Sequence, residues 1–130
     1  MGSGYDIYFT DMHSNLHHNQ IDDLPSWCLH AKQVLDFWAV AYYPFHVEKE
    51  EGKMPIEDIY PDEVLVKDWN KIRHFLQNRD DPDFPVFLGY EWQGSGLDGD
   101  HNIFFKNDGE MVHPLRYGEL RKKLGRHGAV

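Results

Sequence analysis

An α/β fold, with parallel strands alternating with helices, is the architecture this sequence predicts. Short apolar runs at residues 7–10, 37–42 and 85–90 have strand length and are bounded by polar or turn-forming residues. Helical spacing of apolar residues marks the segments at 26–36 and 61–77 that lie between them. The resulting order, β-loop-α-β-loop-α-β-loop-β-α, implies a parallel sheet joined by right-handed crossovers.

The elements follow in chain order. Residues 7–10 read as a first strand, and 11–25 as a polar loop long enough to suggest a functional role. Cys28, Ala31 and Leu35 set the period of a first helix over 26–36, with Ser26 as its cap. The continuous apolar run 37–42 suits a strand covered on both faces. Residues 44–60 read as irregular, with a solvated charged patch at 48–53. Pro61 suits the first turn of a second helix over 61–77, whose buried stripe is Leu65, Trp69, Ile72 and Leu76. A third strand is expected at 85–90, a short further strand at 101–106 after a glycine-rich loop, and a third helix at 117–126. Ala129-Val130 reads as the start of another strand, so the chain is expected to be a single partial domain, residues 1–130, continuing beyond its last residue. A closed (β/α) barrel takes about 250 residues, of which this would be roughly half.

Composition narrows the function classes. An apolar share of 41% and an aromatic share of 15% fit a chain that buries a core. The net charge of −9 argues against a general nucleic-acid binder and against attachment to an anionic membrane. Polyanionic substrates stay open, because bound divalent cations reverse a local field. The single cysteine, Cys28, precludes an intramolecular disulfide and, among Trp27, Leu29 and Ala31, reads as a buried structural thiol. No run has the length of a membrane span and residues 1–4 lack the apolar core of a secretory signal, which makes the cytoplasm the default compartment.

Nine histidines in an acidic chain favour metal binding, provided that several converge. His13 follows the first predicted strand, with Asp11 and Asn15 at alternate positions where an extended backbone would turn all three to one side. Glu91 ends an apolar strand, where a carboxylate is costly unless paired or bound to a cation. His101 opens the next apolar segment after the flexible loop 94–100. That loop lacks the lysine of a phosphate-binding loop and the closing glutamate of a calcium loop. His46, His18 and Tyr43 sit near the predicted strand ends as acid–base or substrate-contacting groups. His30, His74, His113 and His127 read as structural or surface residues.

Tyr8-Phe9-Thr10-Asp11-Met12-His13, then Asp36 through Pro44, then Phe87-Leu88-Gly89-Tyr90-Glu91-Trp92, then His101-Asn102 occur in an order that resembles the N-terminal half of the PHP (polymerase and histidinol phosphatase) superfamily. The likeness is greatest to its branch of largely uncharacterised PHP-like proteins. It implies the N-terminal half of a distorted (β/α)7 barrel that binds metal ions at strand ends for phosphoester hydrolysis. On that resemblance His13 matches the first histidine of an opening His-x-His, Glu91 the middle glutamate and His101 the histidine after it. Asn15 stands where the second histidine would be, and Tyr42-Tyr43 where an Asp-His usually ends the second strand. The full three-metal set therefore cannot form.

The expected activity is metal-dependent hydrolysis of a phosphoester or related ester, the partner being a small-molecule or phosphoester substrate, with a divalent ion, zinc or manganese, held by His13, Glu91 and His101. Asp11 would orient His13 or add a ligand, and Asn15 would be a weak one. His18, His46 or Tyr43 would donate a proton or contact substrate. The alternative is a degenerate PHP-like domain that binds a ligand or metal without turnover, using Trp38, Tyr90 and Trp92 as aromatic contacts. Oligomeric state has no signature in the sequence.

Overall fold

A computed structural model describes residues 4–94 and 96–125. Four strands form its principal sheet: β1 (Ser14–His17), β2 (Trp38–Tyr43), β5 (Val86–Gln93) and β6 (Asp100–Phe105), side by side in that order. Two more, β3 (Phe45–Glu48) and β4 (Ile56–Ile59), make a separate hairpin. The helices are α1 (Leu24–Val34), α2 (Asp62–Gln77) and α3 (Tyr117–Leu124), with a 3-10 turn at His18–Asp23.

The expectation of parallel strands forming half of a (β/α)7 barrel is not met. β1–β2 and β2–β5 are parallel, but β5–β6 and β3–β4 are antiparallel, and the sheet is open with β1 and β6 as its edges. The reason lies in the connections. A parallel return needs a crossover of a dozen or more residues. The link from Gln93 to Asp100 is far shorter, and it turns through Gly96 and Gly99 at positive φ.

β2 is buried at every position, as its unbroken apolar run requires of a central strand. Its alternate residues Trp38, Val40 and Tyr42 join Leu16, Leu88, Tyr90, Trp92, Ile103 and Phe105 under the three helices. α2 starts after Pro61 with Asp62 and Glu63 in its first turn, where carboxylates complement the helix dipole. It buries Leu65, Asp68, Trp69 and Ile72. Burying a carboxylate within that stripe is the sequence's least expected core feature. Cys28 is buried and unpaired, as expected of a structural thiol.

The opposite face of the sheet carries Ala39, Ala41, Phe87 and Phe104. Gly89 is required: a Cβ there would run into the Phe104 ring and stand 2.6 Å from the Ile103 carbonyl oxygen.

The first strand is displaced relative to expectation. Residues 7–10 form no strand, and Ile7, Tyr8 and Phe9 are exposed. Phe9 is tethered at both backbone groups to Asp36, donating to its carboxylate at 2.7 Å and accepting from its N–H at 2.9 Å. Asp11 Oδ1 then accepts the His13 N–H at 2.8 Å, an Asx turn that ends the extended run before β1 begins. The region 44–60, expected to be irregular, holds the β3–β4 hairpin. Its strands are only four residues each and mostly exposed, so the alternation of Phe45 and Val47 with His46 and Glu48 is too short to mark a strand in the sequence. The strand start expected at Ala129-Val130 lies outside the described residues.

Candidate functional site

Strand parity sorts the polar residues into two groups on opposite faces of the sheet. The first lies on the face that carries Ala39, Ala41, Phe87 and Phe104. Glu91 sits directly opposite Asn102 across β5–β6, and follows Tyr90, which is paired with Tyr42. Its side chain is buried, with 6% of the residue exposed, and its Oε2 has no hydrogen-bond partner. His13 Nε2 is 3.7 Å from that oxygen, beyond hydrogen-bond reach. The Oδ1 atoms of Asn15 and Asn102 are also buried without partners on this face. Such atoms are rare in folded chains and each asks for an explanation. A cation would satisfy a carboxylate oxygen and amide oxygens at once, whereas further hydrogen-bond acceptors would not.

His13 reaches Glu91 by a route the sequence does not suggest. It precedes β1 and does not follow a strand; the chain before β1 crosses toward β6, where Asn102 Nδ2 donates to the Met12 carbonyl at 3.2 Å. Asp11 is exposed and spends a carboxylate oxygen on the turn already described. His101, one residue from Asn102, belongs to the other face. Its Nε2 lies 2.9 Å from the Asp98 carbonyl, and its ring stacks on Tyr117 and against Trp92. His13 and Glu91 are thus brought together, while His101 is not. Among the described residues no three His, Cys, Asp or Glu side chains form a metal-binding group.

The second group lies on the helix-covered face, at the C-terminal edge of β1 and β2. Asp68 of α2 is 3% exposed, and its Oδ2 accepts the Tyr42 hydroxyl at 2.7 Å and stands 2.6 Å from His18 Nδ1. Burial, then the adjoining Asp68 carboxylate, pushes the Tyr42 hydroxyl well above the ordinary tyrosine range, so it remains a donor. The half-exposed His18 ring lies 5.0 Å from that of Tyr60, and His46 lies 5.1 Å from Tyr60 on its own side. His46 Nδ1 is 3.8 Å from the exposed Glu48 carboxylate.

Tyr43 belongs to the first face. Its ring contacts His17 at 4.8 Å, and its hydroxyl accepts Gln93 Nε2 at 3.1 Å. Burial, helped by the Glu57 carboxylate, raises its pKa to about 12, so it is protonated at neutral pH.

Sequence reasoning missed Asp68, and it quoted Tyr42 and Asn102 in motifs without the roles their positions give them. Asp68 had a signal: a carboxylate three residues after Leu65 and one before Trp69, inside a helix's apolar stripe. Asn102 had none, because its partnership with Glu91 follows from the antiparallel register.

Compared with protein-family models, curated protein sequences and solved structures, the chain has no significant match.

Proposed function

We propose that the chain binds one divalent cation through Glu91, His13 and Asn102 and is a metal-dependent hydrolase of phosphoesters, of the kind the resemblance to PHP proteins implies. The observation that carries the reading is the buried, unpartnered Glu91 carboxylate oxygen beside His13. One carboxylate, one imidazole and amide oxygens make a hard, oxygen-rich set that fits Mn²⁺ better than Zn²⁺, which favours nitrogen and sulfur donors. Asn15, on the same face, extends that set. A bound divalent ion would supply a water of lowered pKa and polarise the scissile phosphorus–oxygen bond. Glu91 and His13 would fix the ion, Asn102 would hold the incoming segment at Met12, and the Tyr43 hydroxyl, neutral at pH 7, would donate to a substrate oxygen.

A second reading, ion binding without turnover, is favoured by one observation. The Asp68–His18 pair, the better built acid–base group, lies on the other face of the sheet from Glu91. Titration calorimetry with Mn²⁺ on the chain and on Glu91→Gln, with hydrolysis of p-nitrophenyl phosphate mono- and diesters, separates the readings. Stoichiometric binding and turnover, both lost in Glu91→Gln, are expected. Binding without turnover supports the second reading, and binding unchanged in the variant overturns both.

A further inference from the structure

We infer that the exposed run at residues 5–9, with the hollow beside it, is a docking surface for an extended, Lys- or Arg-rich protein segment bearing one large apolar side chain. The surface lies apart from Glu91 and His13, neither of which lines the hollow, and it does not depend on cation binding.

Residues 5–9 have the composition of a strand and form none. Tyr5, Ile7, Tyr8 and Phe9 are 91%, 76%, 66% and 67% exposed, so each leaves most of its apolar surface to solvent. Among the described residues, no backbone N–H or carbonyl of residues 5–8 is hydrogen-bonded. The two bonds from Phe9 to Asp36 pin the end of the run and leave those groups open. An open row of main-chain donors and acceptors is a template on which another extended segment adds as a strand.

Beside the run is a hollow of about 490 Å³ walled by Tyr8, Phe37, Phe87, Pro82 and Pro85. The Phe37 and Phe87 rings meet edge to face at 5.9 Å, an arrangement that aromatic pairs favour. The volume falls within the range of ligand pockets, about 300–1,000 Å³, and accommodates a bulky apolar anchor.

Charge selects the occupant. Asp36 and Asp83 complete the lining, Asp6 stands in the run, and no Lys or Arg lines the hollow among the described residues. None of these three carboxylates forms an ion pair among the described residues, whereas Asp22, Asp81, Asp98 and Asp108 each meet a Lys or Arg. A second copy of the chain, with its net charge of −9, would set the three carboxylates against their own images, which repels. Lys or Arg on either side of an apolar anchor meets them with complementary charge, as a polar rim does around a buried anchor.

The test selects a random-peptide phage library on the full chain, then measures the enriched peptide, fluorescein-labelled, by anisotropy. The expected consensus is an aromatic residue or Leu flanked by Lys or Arg. Ile7→Pro removes a main-chain donor at an exposed position, and Asp83→Lys reverses one rim charge. Each is expected to weaken binding by at least about tenfold. Glu51→Lys, an equal charge change on the exposed β3–β4 turn, is expected to alter binding by less than about threefold. Amide shifts of the unmodified chain on adding peptide, which need no variant to fold, should concentrate at residues 5–9, Phe37 and Phe87. No enriched consensus, an acidic one, equal weakening by Glu51→Lys, or shifts centred elsewhere overturns the inference. So does sedimentation that shows a dimer dissolved by Ile7→Lys, since a second copy would then occupy the surface.

Discussion

The Tyr42 hydroxyl and the Asp68 carboxylate meet at 2.7 Å across the join between β2 and α2, a hydrogen bond inside the main hydrophobic core. It ties the central strand to the longest helix by a charged acceptor. Bonds of this type contribute more than neutral ones, and an acceptor left unmatched in the core costs more still.

Tyr42→Phe should therefore destabilise the chain by about 1–3 kcal/mol, since Asp68 loses one of its two partners while the ring packing is kept. Urea unfolding measures this. A double-mutant cycle with Asp68→Asn should show non-additive losses, and strict additivity would mean that the two side chains are energetically independent.

Glu91→Gln should behave in the opposite manner. The wild-type carboxylate is buried with an unpartnered oxygen, so neutralising it leaves the metal-free chain equally or more stable. Mn²⁺ at about 100 times its dissociation constant should stabilise the wild type by about 2.7 kcal/mol and leave Glu91→Gln unmoved. Melting curves with and without Mn²⁺ give both results, and an ion-dependent rise in the variant would remove Glu91 from the site.

His113 predicts an acid-sensitive fold. Its Nε2 is buried without a partner, and burial, opposed weakly by Asp62, lowers its pKa from 6.5 to about 4. The unfolded chain therefore binds the proton more readily than the folded one. Its contribution is fully present above pH 6.5 and is lost as pH falls toward about 4, on the order of 3 kcal/mol at most. His113→Phe, which keeps a ring against Tyr90, should flatten the stability profile over that interval. Identical profiles would show that His113 is not the sensitive group.

Gly89→Ala should destabilise by about 1–3 kcal/mol, because the added methyl meets the Phe104 ring and the Ile103 backbone on the adjoining strand. Adding Phe104→Leu should recover only part of the loss, since the Ile103 carbonyl at 2.6 Å cannot be trimmed away. Full recovery would place the whole clash on the ring.

Local patterning made α2 and β2 legible. α2 has Pro61, a leading acidic pair and a regular apolar stripe; β2 is an apolar run of strand length. The same logic misled at residues 7–10, where an apolar strand-like run is exposed and the pairing position beside β2 is taken by Ser14–His17. Periodicity reports how a segment would share its faces if it were paired; it does not choose which of two nearby segments pairs. His13 and Glu91 were both readable as candidates. His101 was readable too, yet its parity on β6 turns it to the far face with Trp92.

What the sequence by itself determined was the kind and approximate position of most core elements, and the residues whose chemistry could build a site. Those properties depend on contacts within a few residues. Only the tertiary structure decided that the sheet is open and mixed, that Glu91 faces Asn102 and not His101, and that Asp68 is the carboxylate behind His18. These depend on strand register and helix docking, where a shift of one residue exchanges the two faces and no local pattern records the choice.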